Sequence, residues 1–152
     1  MQEKTEIIIA QAKKLKVSFD LDLIQLALEK TKDFPIELVL YDSSMLSGQF
    51  MIRLNGMKSL EVFPLLDVSL FSKGRQERSL SLGSMSLYGI DVASVKSRGK
   101  EARGIDYAFL LESEELENVH FEDELHVLIE PQRALSKSTI LEVESIELVY
   151  LT

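Results

Sequence analysis

The sequence predicts a mainly β protein: an antiparallel β-sandwich of about seven or eight strands with an N-terminal helical segment. Three observations predict it. From residue 35 onward, apolar side chains recur at every second position in short runs, as in Phe50/Ile52/Leu54, Leu66/Val68/Leu70, Ile105/Tyr107/Phe109/Leu111 and Leu125/Val127/Ile129, the period of a half-buried strand. Turn-forming residues separate the runs, among them Asp42-Ser43-Ser44, Asn55-Gly56 and Pro131. No helical pattern lies between them, which favours an antiparallel sandwich over a parallel α/β sheet.

Residues 3–16 read as an amphipathic helix, with Ile7, Ile8, Ala10, Ala12 and Leu15 as its apolar set and Lys13, Lys14 and Lys16 in the last turn, where the helix dipole favours cations. The next stretch carries two patterns. Val17, Phe19, Leu21 and Leu23 alternate as a strand would, while Leu23, Ile24, Ala27 and Leu28 have helical spacing behind Asp22 as an N-cap. A helix over about 20–32, stopped by Pro35, is the favoured reading. Residues 1–34 are thus the helical segment and 35–152 the sandwich of one domain.

The strands then follow in order. Ile36, Leu38 and Leu40 form the first. Phe50 to Leu54 is the second, closed by Asn55-Gly56. The region 60–71 is extended and bent at Pro64, and 73–78 is a loop. Leu80 and Leu82 are even-numbered but Met85 and Leu87 odd, so a bulge is expected at Gly83-Ser84. Ile90 and Val92 end that region. Residues 96–104 form a polar loop, 105–111 a strand, and 112–118 an acidic stretch with a short helical turn. Residues 125–131 and 140–151 complete the set, the last with a second change of parity near Ser145.

The chain has 152 residues, enough for one domain with a sizeable core. Cys is absent, which excludes a disulfide framework, thiolate metal sites and a Cys nucleophile. The formal charge of −8 is uneven. Residues 1–100 hold 14 basic against 12 acidic side chains, and residues 101–152 hold 3 against 13. So acidic a chain repels phosphate backbones, and nucleic-acid binding is not expected. No apolar run approaches 18 residues and the N-terminus lacks the pattern of a secretory signal, so a cytoplasmic protein without a membrane span is expected.

Two histidines are present. His120 and His126 share strand parity with Glu122 and Glu124, and on one straight strand all four would project from one face, with neighbours about 6–7 Å apart. Asp123 falls on the apolar side of that pattern and argues for a turn that breaks the alignment. Ser79, Ser81, Ser84 and Ser86 lie outside any Gly-x-Ser-x-Gly setting. The acidic residues form no distinctive catalytic pair, and Trp is absent, which disfavours a sugar platform. Gly99-Lys100 lacks the rest of a phosphate-binding loop. No catalytic, cofactor-binding or metal residue is assigned, and no cofactor is expected.

The segments Phe50-Met51-Ile52-Arg53-Leu54-Asn55, Glu124-Leu125-His126-Val127-Leu128-Ile129-Glu130-Pro131 and Ile140 to Leu151 resemble, in pattern and order, strands of the C-terminal β-sandwich domain of polyphenol oxidases and tyrosinases. The copper-binding histidine motifs of the oxidase domain are missing here. The resemblance implies an accessory or shielding role rather than chemistry. The expected function is therefore a non-enzymatic β-sandwich that mediates protein–protein interaction or assembly. Its contacts would be strand edges, the acidic C-terminal face, and the basic loops 73–78 and 96–103, toward a protein partner or a second copy. Two alternatives stand beside it: a small-ligand carrier with a cavity lined by residues such as Phe50, Met85 and Phe109, and a metal-dependent enzyme using His120 and His126 with nearby carboxylates.

Overall fold

Eight strands form one sheet in this computed structural model, which describes residues 5–19, 23–40, 49–95, 103–116, 119–135 and 138–151. In chain order they are β1 (Glu6–Phe19), β2 (Ile24–Lys30), β3 (Gln49–Met57), β4 (Leu66–Ser72), β5 (Leu80–Met85), β6 (Ile105–Glu112), β7 (Leu125–Pro131) and β8 (Thr139–Leu151). Two single-turn helices, α1 (Glu37–Leu40) and α2 (Ile90–Ala93), lie in connections. The spatial order is β5-β4-β7-β2-β1-β8-β3-β6, and every neighbouring pair is antiparallel.

The sheet curls until its outer strands meet. The Tyr107 hydroxyl on β6 donates to the Ser84 carbonyl on β5 at 3.3 Å. Gly83 on β5 faces the Phe109 ring so closely that a Cβ there would stand 3.3 Å from it. The architecture is a nearly closed, barrel-like sheet around one core, where two facing sheets were expected. Alternation along a strand reports which side is buried, and a curled sheet and a sandwich bury the same side. Phe50, Ile52 and Leu54 of β3, Val68 and Leu70 of β4, Val127 and Ile129 of β7, and Ile146 and Leu148 of β8 all join that core.

The N-terminal region corrects the sequence reading most sharply. Residues 6–19 and 24–30 are strands, not helices. β1 is a central strand, paired with β8 from Glu6↔Leu151 to Phe19↔Thr139. Its inward residues are Ile7 and Ile9, then Ala10 and Ala12, then Leu15, Val17 and Phe19. The parity changes twice, at a bulge between Ile8 and Ala10 and again at Lys14, whose φ is +54°. Two changes of parity make an alternating strand imitate helical spacing. β2 alternates simply, with Ile24, Leu26 and Leu28 turned inward. The N-cap assigned to Asp22 lies outside the described residues.

The parity change near Ser145 also has a different form from the expected bulge. In β8 the buried set passes from Leu141 and Val143 to Ile146 and Leu148, yet its register with β1 and β3 runs through unbroken. Each flanking strand instead places a left-handed residue opposite Glu144: Lys14 on β1 and Gly56 on β3, with φ +60°. All three strands therefore bend at one row and keep their pairing. A side chain at Gly56 would stand 2.9 Å from the Glu144 Cβ, so only glycine fits there. Asn55-Gly56 accordingly does not end β3, which runs on to Met57. The bulge expected at Gly83-Ser84 lies one step earlier, at Leu82, where Val68↔Gly83 is followed by Ser69↔Ser81.

Three smaller segments complete the comparison. Residues 37–40 form a helical turn rather than a strand, and 41–48 lie outside the described residues. Ile90 and Val92 belong to α2 instead of a strand. The turn expected within 112–118 is a 3-10 turn over Ser113–Leu116. Residues 96–102 of the expected loop lie outside the described residues.

Candidate interaction surface

The two histidines bond different carboxylates, His120 to Glu122 and His126 to Glu124. β7 begins at Leu125, after a turn at 121–123, so the straight His-x-Glu-x-Glu-x-His strand does not form. His126 is buried on the outer side of β7. Its ring stacks on Phe71 with centroids 5.4 Å apart. The Gln25 amide donates to Nδ1 at 2.8 Å, and Nε2 donates to Glu124 Oε1 at 2.7 Å. Both ring nitrogens are engaged, which leaves no lone pair for a metal. The His120 ring meets Glu122 at 3.2 Å, while its backbone is fixed to Ser72 on β4.

Among the described residues no three His, Asp or Glu side chains come close enough to hold a metal ion. Excess Zn2+ is accordingly expected to leave the thermal midpoint unchanged. A site half as good as a typical binding site would raise it by several degrees. A zinc-dependent rise that disappears in His126→Gln would contradict this account.

Ser84 of β5 serves the sheet. Ser84 Oγ donates to Asp67 Oδ1 at 2.5 Å, and the Gln132 amide donates to the same carboxylate at 2.8 Å. Hydrogen bonds from Gln132 and Ser84 hold the Asp67 carboxyl below its ordinary pKa, against a smaller opposing effect of burial. Ser84 Oγ bonds to Asp67 and Gln132, and among the described residues no histidine stands beside it as the base that a nucleophile needs.

Part of the C-terminal acidity is also structural. Glu147, buried on the outer side of β8, accepts from Arg53 Nε at 2.9 Å and from Asn55 Nδ2 at 2.7 Å. Arg53 Nη1 reaches Glu6 at 3.0 Å. Burial opposes the Arg53 charge, but the hydrogen bonds and attraction of Glu6 and Glu147 outweigh it and raise its pKa further. The basic loop 73–78 is partly neutralised in the same way, with Arg75 Nε 3.4 Å from Asp123.

Phe50 and Met85 are fully buried and Phe109 nearly so, all in the single core. The two clefts described below are lined by other residues.

The connections alternate between the two ends of the barrel-like sheet. β1–β2, β3–β4, β5–β6 and β7–β8 connect at one end, and β2–β3, β4–β5 and β6–β7 at the other. Apolar side chains gather at the first end. Leu60, Val62 and Leu65 come from the β3–β4 connection, and Tyr88, Val92 and Val95 from the β5–β6 connection. Tyr88 is 95 % exposed, Val62 83 % and Val92 75 %. Leu23 and Ile140 are exposed at the same end.

A cleft of about 560 Å3 runs between the two connections, with Val62 to Leu65 on one wall, Leu87 to Val92 on the other, and Arg133 at its edge. A second cleft of about 460 Å3 shares Glu61 with it and is more polar, lined by Lys16, Lys58, Ser59 and Glu142 among others. The end is held rigidly from below. Ser94 Oγ accepts from the Ser59 backbone N–H at 2.8 Å, Ser59 Oγ donates to the Ile140 carbonyl at 2.7 Å, and Phe63 packs edge-on against Phe19 with centroids 5.7 Å apart.

Sequence reasoning missed this surface. Reading 60–71 as one extended region bent at Pro64 leaves Leu60, Val62 and Leu65 without an assigned place. The interruption by Pro64, and the Gly89 that opens α2, were the available signals that these apolar residues lie in connections.

A family model described as a domain of unknown function (DUF7868) matches residues 4–150. The chain belongs to this family. The match covers β1 to β7, all of β8 but its last residue, and all four connections of the apolar end, so that end is part of the family's domain rather than an appendage. No curated protein matches the chain. Among the described residues no helix is long and apolar enough to cross a membrane.

Proposed function

We propose that this domain is a non-enzymatic protein-interaction module that docks through the apolar end of its barrel-like sheet. The observation that carries the reading is the concentration of exposed apolar side chains. Of eleven large hydrophobics exposed among the described residues, eight lie at that one end. Scattered singly they would need no explanation, but a contiguous apolar patch around a cleft is the mark of a binding surface. The hydrogen-bonded frame of Ser59, Ser94 and Ile140 presents it without further ordering, which lowers the cost of binding. An accessory or shielding role, as the resemblance to the oxidase-associated domain implies, is one form of such docking.

The test separates docking from folding. Replacing Val62, Tyr88 and Val92 together by serine is expected to lower the thermal midpoint by no more than about 6 °C, since exposed substitutions cost about 0.5 kcal/mol or less each. The same variant is expected to lose association measured by light scattering. A fall of 10 °C or more would show that these side chains belong to the core and would end the reading.

A further inference from the structure

We propose that the apolar end is occupied by the same end of a second copy of this chain, so that two copies close into a two-fold dimer. This rests on the apolar end being a docking face and adds what fills it. A two-fold contact brings one surface patch against itself, so the patch has to be complementary to itself. The apolar end meets that condition in size, shape and charge. Eight large apolar side chains are exposed there, the scale of one partner's share of a standard interface, about 800 Å2. Contacts within homodimers are more apolar than those between proteins that also exist apart, which favours a second copy over a different protein.

A projection and a recess stand side by side. Tyr88 belongs to the wall of the 560 Å3 cleft, yet it is 95 % exposed, so its side chain projects into solvent. Turned about a two-fold axis, the Tyr88 ring of each copy meets the cleft of the other, beside Val62 and Val92. Tyrosine is among the residues that most often anchor such contacts. Its backbone N–H donates to Ser86 Oγ at 3.3 Å and α2 follows directly, which holds the connection in shape. The cleft also carries both signs of charge, Glu61 and Asp91 with Arg133 at the edge. Among the described residues neither Asp91 nor Arg133 forms an ion pair within the chain. In the dimer Asp91 of one copy faces Arg133 of the other, twice. The described charges at this end are Lys58, Arg103 and Arg133 against Glu61 and Asp91, so two copies meet without a field of one sign between them. Pairing through sheet edges is blunted by the bulge at Leu82 on β5 and by the contact of Tyr107 with Ser84 across the seam.

The experiment is sedimentation velocity on the full chain from about 5 to 500 µM at low and high salt, with the variants Tyr88→Asp, Asp91→Arg and Arg133→Asp. All three positions are exposed, and thermal melts confirm that each variant is folded. The wild type is expected to pass from one chain to two as concentration rises and to stop there. The dimer is expected to persist at about 0.5 M salt, because apolar burial carries it and salt screens only exposed charges. Tyr88→Asp is expected to be monomeric throughout. At low salt each charge reversal alone is expected to raise the dissociation constant about tenfold or more, since like charges then face each other at both contacts. Their equimolar mixture is expected to recover the wild-type dimer, because both contacts are again between opposite charges. Mixing cannot repair a fault within one copy, so this recovery reports contact between copies. A wild type that stays monomeric throughout overturns the inference and assigns the apolar end to a different protein; the docking reading itself fails only with the melting result of the serine variant. Association that continues beyond two chains overturns it in favour of a head-to-tail contact, and a dimer that neither reversal weakens overturns it in favour of another face.

Discussion

Replacing Phe50 by alanine is expected to remove about 3–5 kcal/mol of stability, the cost of truncating a buried phenylalanine where the surroundings cannot collapse. Phe50 is fully buried in β3, a strand paired on both sides. Its ring lies 5.0 Å from that of its cross-strand partner Tyr150. Domains of this kind are stable by only about 5–15 kcal/mol, so the variant would be close to unfolding at 37 °C. Urea denaturation measures it. The result also decides between a core and a ligand cavity. A side chain lining an open binding space gives up little folding energy when truncated, so a loss under about 1 kcal/mol would revive the carrier reading.

Gly104→Ala is expected to cost about 2–4 kcal/mol, against about 1 kcal/mol for Gly74→Ala. Both glycines are left-handed, with φ +73° and +84°, so both variants carry the backbone strain of an L-residue there. They differ in space. A Cβ at Gly74 meets nothing within 4 Å, whereas one at Gly104 would stand 2.4 Å from the Met57 carbonyl oxygen. Backbone cannot yield as a side-chain tip can, so β3 and β6 would have to part where Met57 pairs with Ile105. The Gly104 N–H also donates to the Ala93 carbonyl, which fixes the base of α2 beneath Val92 and Val95. Gly104→Ala therefore disturbs the apolar end as well. Equal losses for the two variants would contradict the close approach.

Most strands were legible in the sequence because each buries one face and alternates simply. Residues 50–54, 66–70, 105–111 and 125–129 fall within β3, β4, β6 and β7. β1 was not legible because its bulge near Ile9 and its left-handed Lys14 shift the apolar set twice within seven residues. Only pairing with β8 over its whole length reveals the strand. The bend at Glu144 was half legible. The parity change in β8 was visible, but its cause sits on the neighbours Lys14 and Gly56, which adjacent sequence cannot report.

The surface was hidden for a related reason. Val62 and Leu65 have the composition of core residues, and exposure is decided by which strands their connection joins. His120 and His126 attracted attention by residue type, while their environment, with Gln25 and Phe71 reaching His126 and Ser72 fixing the backbone of His120, arises from distant parts of the chain.

The central claim is that the molecule makes its contacts through the apolar end of its sheet. Amide hydrogen exchange read by mass spectrometry, on dilute and concentrated protein at low salt, tests it most directly. The account predicts slower exchange on concentration in residues 58–65 and 86–95 at the apolar end, with the strands of the wall unchanged. Protection confined to β5 and β6 would show edge pairing instead, and would contradict the account.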